Sequence, residues 1–119
     1  PNRLIRYIYE LKIISINGEA PQVFECISCG DKEREKVFSV QKGGLVCEQC
    51  NVNIKDGRRL RPSTLYTMQY IISSSIRKLY TFVVKDEVLE ELSDVVTEYV
   101  DRYVGKRFKS LEILETIVE

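Results

Sequence analysis

Apolar residues recur every three or four positions in several stretches of the chain, a spacing that predicts amphipathic helices. The first predicted helix covers residues 2–16 and ends at Asn17-Gly18, because glycine readily adopts the left-handed conformation that closes a helix. Ile5, Tyr9 and Ile13 form a second apolar stripe beside the first one. Together the two stripes predict that this helix is buried on more than one side.

The second half of the chain also has helical periodicity. A helix is predicted to start at Pro62 with Ser63 as its N-cap, and a run of three serines further on is as consistent with two helices as with one. Asp86 begins the clearest helix, which is expected to end at Gly105. A last helix is predicted from about Ser110.

The segment between the first two predicted helices follows a different pattern. β-Branched and aromatic residues at 37–40 and at Leu45-Val46 predict two strands, with Gly43-Gly44 as the turn of a hairpin. The fold class expected is therefore mainly α: one helical domain over residues 1–119 with a β insert over residues 24–51 that carries four cysteines.

Composition narrows the class of function. The 119 residues suit one domain, and a chain without histidine has no Ser-His or Cys-His nucleophile pair and no histidine metal ligand. Since no glycine-rich phosphate loop or carboxylate pair stands out either, the sequence predicts a protein that is not an enzyme. No apolar run approaches the roughly 20 residues of a membrane helix, and no signal-peptide pattern opens the chain, so we expect a reducing cytoplasm.

The net charge of zero conceals two oppositely charged segments. Residues 52–85 hold seven Lys and Arg against one acid, whereas residues 86–119 hold four Lys and Arg against ten acids. A chain divided in this way can present a basic face to an anionic partner while its total charge stays neutral.

The four cysteines form two C-x2-C pairs separated by seventeen residues, a spacing typical of four-cysteine zinc sites. Two intervening residues let a tight turn aim both thiolates at one point, and the hairpin returns the second pair opposite the first. Four sulfur ligands leave no open position for water, so the zinc would be structural, with one ion per chain. The predicted ligands are Cys26, Cys29, Cys47 and Cys50.

Other uses of the cysteines stay open on the residues alone. Iron binds four thiolates in the same arrangement. A dithiol redox motif normally lies in a βαβ unit, which this pattern does not predict, and disulfides would require a secreted protein.

Two basic clusters are candidate contacts for DNA phosphates or for an acidic partner. The first cluster follows the second cysteine pair and consists of Lys55, Arg58, Arg59 and Arg61. The second follows the predicted third helix and consists of Lys106, Arg107, Phe108 and Lys109. A solvated loop and compensation of a helix C-terminus are the structural alternatives. No aromatic residue is interleaved in the first cluster, so base stacking is not predicted there.

Several motifs, in order along the chain, resemble the C-terminal region of the RecO family of bacterial recombination mediators. They are the first helix with its exit Gly18-Glu19-Ala20-Pro21, the cysteine pairs with Gly43-Gly44 before the third cysteine, Ser63-Thr64-Leu65, and the closing segment 105–112. The family also carries an N-terminal OB-fold domain, and nothing in this chain corresponds to it. The chain therefore resembles one part of a longer protein.

The resemblance implies a DNA repair and recombination mediator in the bacterial cytoplasm, associated with the nucleoid. RecO proteins bind single- and double-stranded DNA, anneal complementary strands, pair with RecR, and engage the acidic C-terminal tail of the single-stranded-DNA-binding protein, which helps RecA to load. Arg107, Phe108 and Lys109 suit an acidic tail that ends in phenylalanine. The alternative is a zinc-stabilised protein-interaction module with no DNA affinity of its own.

Overall fold

The chain folds into α-helices around one small β-hairpin in this computed structural model, which describes residues 2–80 and 82–118. Side chains are described for all of these except Asn2, Ile76, Tyr80 and residues 106–118. The elements are α1 (Asn2–Ile16), β1 (Lys36–Ser39), β2 (Gly44–Cys47), α2 (Pro62–Ser73), a 3₁₀ turn (Ile76–Tyr80) and α3 (Asp86–Val118). The predicted fold class, mainly helical with a small β insert, is confirmed.

Helix α1 has the predicted extent but only one buried face. Gly18 has a φ of 77°, and its N–H and that of Glu19 donate to carbonyls in the last turn, so the predicted left-handed stop is present. The second apolar stripe is exposed, with Ile13 56% accessible, and the prediction of burial on more than one side is wrong. The other stripe supplies the buried apolar contacts of α1 with α2 and α3.

Helix α2 starts at the predicted residue but is capped differently. Arg61 occupies the N-cap position and Pro62 the first turn, so Ser63 lies inside the helix and is not its cap. The carboxylate of Glu91, from α3, accepts a hydrogen bond from the Arg61 N–H at 2.8 Å. Glu91 is buried, and it satisfies the N–H of the N-cap residue itself. The bond that Ser63 was expected to accept, from an N–H of the first helical turn, is not made by the side chain of Arg61.

The chain leaves the helix at the serine run but remains helical through Gly105. Helix α2 ends at Ser73 and a separate 3₁₀ turn follows, so of the two alternatives that the serine run left open the structure has two elements. Helix α3 continues through Gly105 to Val118, and the two predicted helices are one. A glycine inside a helix costs about 1 kcal/mol relative to alanine, which is too little to end a helix that is otherwise continuous.

The hairpin is in register from Lys36↔Cys47 to Ser39↔Gly44, and further residues pair with both of its edges. Gln22 pairs with Gly44 on one edge, and Arg58 exchanges two backbone hydrogen bonds with Phe38 on the other. A Cβ on Gly44 would approach the Gln22 carbonyl oxygen to 2.5 Å, so only glycine permits this close contact. Gly44 is therefore a strand residue, and Gly43, with a φ of 84°, belongs to the turn.

Helices and hairpin share one hydrophobic core. Its buried members are Leu4, Tyr7, Ile8, Leu11, Val23, Phe38, Leu45, Met68, Ile71, Leu79, Leu92, Val95 and Val96. The hairpin contributes Phe38 and Leu45, so the β insert is attached to the helical part by packing as well as by hydrogen bonds. The division into one domain with an insert over 24–51 stays a prediction.

Lys12 holds the C-terminal end of α2. Its half-buried ammonium donates to the carbonyls of Ile71 (3.4 Å), Ile72 (3.2 Å) and Ser74 (2.6 Å). These carbonyls have no partner within α2 because they lie at its end, where a cation is also favoured by the helix dipole.

We expect Lys12→Met to lower the free energy of unfolding by about 1–3 kcal/mol, since it leaves the α2 carbonyls without their charged donor. Urea denaturation followed by circular dichroism measures the change. Lys42→Met, an equal change of charge and size at the exposed hairpin turn, is the matched control. Equal stability of the two variants would contradict the capping role.

Candidate metal centre and basic surface

The four cysteine sulfurs converge at the open end of the hairpin. Their Sγ atoms all lie within 4.8 Å of one another, although the two pairs are far apart in the chain. Cys26 and Cys47 are buried, Cys50 is half-buried, and Cys29 is exposed. The structure thus brings together the four predicted ligands.

Backbone hydrogen bonds shape both cysteine turns. The Gly30 N–H donates to the Cys26 carbonyl and the Cys26 N–H to the Asp31 carbonyl, each at 2.8 Å, with Gly30 at a φ of 77°. In the second turn the Cys50 N–H donates to the Cys47 carbonyl. Two residues between cysteines allow these tight turns, as the sequence predicted.

The separation of two of the sulfurs matches the edge of a tetrahedral metal site. Cys29 Sγ and Cys47 Sγ are 3.7 Å apart, and sulfurs about 2.3 Å from a central ion define a tetrahedral edge of about 3.8 Å. A disulfide would require about 2.0 Å. The four residues can therefore hold one thiophilic metal ion, and the cysteines are free thiols rather than disulfides.

The thiols differ in acidity. Burial opposes ionisation of Cys26, but backbone N–H groups, including that of Cys47 at 3.3 Å, lower the pKa of this thiol to about 6. Hydrogen bonding with the Cys47 and Cys29 sulfurs raises the pKa of Cys50 to about 12. Four thiolates this close repel one another, so the cluster retains protons unless a cation compensates the charge.

Asp56 supports the hairpin turn from outside. Its carboxylate accepts hydrogen bonds from Ser39 Oγ (2.6 Å) and the Gln41 N–H (2.9 Å). Partial burial opposes ionisation, but these donors outweigh it and lower the pKa of Asp56 below its ordinary value.

The first basic cluster is largely paired with acids. Arg58 contacts Asp94 at 3.3 Å, Arg59 contacts Glu35 at 2.6 Å, and Arg61 contacts Glu91 at 3.5 Å. Lys55 is exposed and forms no ion pair within the part of the chain that the structure describes. The three arginines join the loop to the neighbouring acidic segments.

The second basic cluster lies on the C-terminal half of α3. Lys106, Arg107, Phe108 and Lys109 are part of this helix, and their side chains lie outside the described residues. The helix does not end before them, so they do not compensate a helix C-terminus at Gly105.

An apolar groove was not predicted from the sequence. It has a volume of about 1010 Å³ and lies between the start of α2, the start of α3 and the segment that precedes α3. Tyr66, Tyr70 and Phe82 line it, together with Arg61 from the first basic cluster. Residues separated by up to twenty-seven positions meet here, from Arg61 to Val88, so local pattern contained no signal for the groove.

The comparisons with known proteins identify the family. The family model described as "Recombination protein O C terminal" matches residues 1–112. The chain belongs to the RecO family. The resemblance stated from the motifs is thereby confirmed, and the cysteine cluster and basic loop lie within the matched region.

RecO proteins of several bacteria are similar in sequence to this chain. The chain is 36% identical over 104 residues to the DNA repair protein RecO of Caldanaerobacter subterraneus, an alignment that covers 87% of the chain and 42% of that protein. It is 31% identical over 109 residues to RecO of a Thermoanaerobacter species (92% and 44%) and 30% identical over 118 residues to RecO of Acetivibrio thermocellus (98% and 47%). The chain thus spans less than half the length of these relatives.

Two further findings complete the comparison of this RecO segment. No solved structure is significantly similar to the chain. Among the described residues, no helix has both the length and the apolar character to cross a membrane.

Cys29→Ser should reduce the bound metal from about one ion per chain to well below one, because a hydroxyl is a poor ligand for thiophilic ions. Cys29 is exposed, so its loss removes a ligand without leaving a cavity, whereas Cys47→Ser also alters the core. Elemental analysis and melting temperature with and without chelator measure both effects. Ser28→Ala, inside the same turn, is the control.

Chelator is expected to lower the melting temperature of the unchanged chain and of Ser28→Ala, but hardly that of Cys29→Ser. A folded Cys29→Ser or Cys47→Ser variant with a full metal equivalent would contradict the all-cysteine assignment.

Asp56→Asn is expected to destabilise the protein at neutral pH. The two hydrogen bonds go to different carboxylate oxygens, and an uncharged amide offers only one acceptor oxygen in their place. The pKa of Asp56 is lower in the folded than in the unfolded state, so its contribution is complete above about pH 4 and is lost as the pH falls through the folded pKa. Urea denaturation of both proteins over this pH range measures the difference. A difference independent of pH would contradict the assignment.

Proposed function

We propose that this chain is the DNA- and partner-binding C-terminal part of a RecO-type mediator of DNA repair and recombination. It binds single- and double-stranded DNA and RecR, docks the acidic tail of the single-stranded-DNA-binding protein, helps RecA load onto coated strands, and promotes annealing. It catalyses no chemical step and acts at the nucleoid in the bacterial cytoplasm. The match of residues 1–112 to the RecO C-terminal family carries the proposal.

The metal in this proposal is one structural Zn²⁺ per chain, held by Cys26, Cys29, Cys47 and Cys50. The convergence of four sulfurs within 4.8 Å, with one pair at the spacing of a tetrahedral edge, supports it. Zinc would cross-link the two cysteine turns at the open end of the hairpin. Its two positive charges would take the place of the protons that the thiols otherwise retain. Iron in the same site is distinguished by elemental analysis.

The first basic cluster supplies the proposed phosphate contacts. The Arg59 side chain is 72% exposed, and Lys55 is exposed as well. Exposed ion pairs such as Arg59–Glu35 contribute only about 0–1 kcal/mol, so a phosphate can displace the carboxylate at little cost. Arg58 and Arg61 are less exposed than Arg59, at 37% and 50% of their side chains, and each also contacts an acid of α3. Arg107 and Lys109, with Lys106 and Phe108, are proposed contacts for DNA or the peptide tail.

A zinc-stabilised protein-interaction module without DNA affinity is the alternative function. One observation favours it: the arginines of the loop already have carboxylate partners, so the loop is less positive than its sequence suggests. The two functions differ in whether binding to DNA depends on salt.

The chain is expected to bind labelled single-stranded DNA with an affinity that falls as salt rises, because each phosphate contact releases counterions. The double variant Lys55→Ala/Arg59→Ala should weaken binding. It should also reduce the slope of log affinity against log salt concentration by about 1–2, which corresponds to one or two lost phosphate contacts. Fluorescence anisotropy at a series of salt concentrations measures both quantities.

Arg6→Ala/Lys32→Ala is the matched control, with the same change in charge at exposed positions outside the loop. Undetectable or salt-independent binding by the unchanged chain would eliminate the DNA role of this part of the protein and leave the interaction module.

A further inference from the structure

The apolar groove beside α2 combines aromatic rings with positive charge. Its lining includes Tyr66, Tyr70, Phe82, Arg61, Lys85 and Glu87, so two cations face one acid. Tyr66 is 67% exposed, and Tyr70 and Phe82 form an edge-to-face pair with ring centroids 5.2 Å apart. The packed pair forms part of the wall, and the Tyr66 ring remains open to a ligand.

The cations of the groove are available to an anionic ligand. The Arg61 guanidinium is half-exposed and makes only a long contact of 3.5 Å with Glu91, which leaves donors free for another acceptor. Lys85 is exposed at the start of α3. Arg61 also belongs to the first basic cluster, so the groove adjoins the loop that carries the proposed phosphate contacts.

We propose that this groove binds single-stranded DNA by stacking bases on Tyr66, while Arg61 and Lys85 contact the adjacent phosphates. A positively charged groove that offers open aromatic faces is the usual means of binding unpaired strands, since every base has a π-face. Duplex DNA keeps its bases stacked inside and does not use such a surface. The groove therefore selects single strands, and this inference rests on the proposed DNA-binding function.

Charge complementarity and family favour a nucleic acid as the occupant. A strand carries a negative charge at every nucleotide, which matches cations contributed by two separate segments, and the chain belongs to a family of DNA repair proteins. An acidic peptide with an apolar end would use the same cations, and the experiment below distinguishes it.

The test compares a labelled oligo-dT strand with an abasic strand of equal length, which has the same phosphates and no bases. The unchanged chain is expected to prefer oligo-dT. Tyr66→Ala should weaken binding to oligo-dT about tenfold and leave binding to the abasic strand unchanged, whereas Tyr66→Phe, which retains the ring, should bind like the unchanged chain.

Tyr9→Ala is the matched control, because it removes a tyrosine that is 40% exposed on α1, outside the groove. Oligo-dT binding by Tyr66→Ala equal to that of the Tyr9→Ala variant would overturn the proposal. The proposal would also be overturned if Tyr66→Ala lost binding to an acidic, Phe-ended peptide but kept its binding to oligo-dT. The groove would then be a peptide site.

The outcomes separate this inference from the proposed function. If the unchanged chain binds neither strand, both fail. If it binds both strands equally in a salt-dependent manner and Tyr66→Ala changes nothing, phosphate binding stands and only base stacking is overturned.

Discussion

The hairpin must be held on both faces, and most of the structure follows from this requirement. Two strands of four residues are marginally stable alone. Because side chains alternate along a strand, Phe38 and Leu45 enter the helical core, while Val37 and Val46 lie in the cluster that contains the cysteines. A shift of one residue in the register would exchange these faces. Gln22 and Arg58 pair with the edges of the hairpin, and the cysteine cluster and the helical core are coupled through neighbouring residues of the same strands.

Helix α2 depends on charged side chains from other helices at both of its ends. Glu91 accepts the Arg61 N–H at the N-terminus, and Lys12 donates to three carbonyls at the C-terminus. Each charge has the sign that the helix dipole favours. These polar contacts fix the direction of α2, whereas Met68 and Ile71 supply its burial in the core. The same helix forms one wall of the aromatic groove, whose shape therefore depends on how α2 is held.

The basic segment 52–85 and the acidic segment 86–119 form ion pairs with each other in the folded protein. Arg58 pairs with Asp94 and Arg61 with Glu91, so part of the basic loop is neutralised by α3. In the proposed function, a phosphate at Arg58 would compete with the exposed carboxylate of Asp94, which could return to water, whereas Glu91 is buried and stays with Arg61. Exposed pairs exchange at small cost, which allows the loop to serve both the fold and a ligand. The Arg59–Glu35 pair, with both side chains 72% exposed, is the one that exchanges most easily. Lys55 is exposed and has no ion pair among the described residues.

Short-range features of the sequence determined the extent of α1 with its stop at Gly18, the start of α3 at Asp86, the two strands, and the cysteine pairs that converge. Each depends on residues a few positions apart, whose conformations the local chain specifies. Only the tertiary structure decided that one stripe of α1 stays exposed, that Arg61, held by Glu91, occupies the N-cap of α2 in place of Ser63, that α3 continues through Gly105, and that Tyr66 and Arg61 line one groove. These features depend on which distant segment packs against each surface, because capping, burial and ion pairing are satisfied by whatever group the fold brings near.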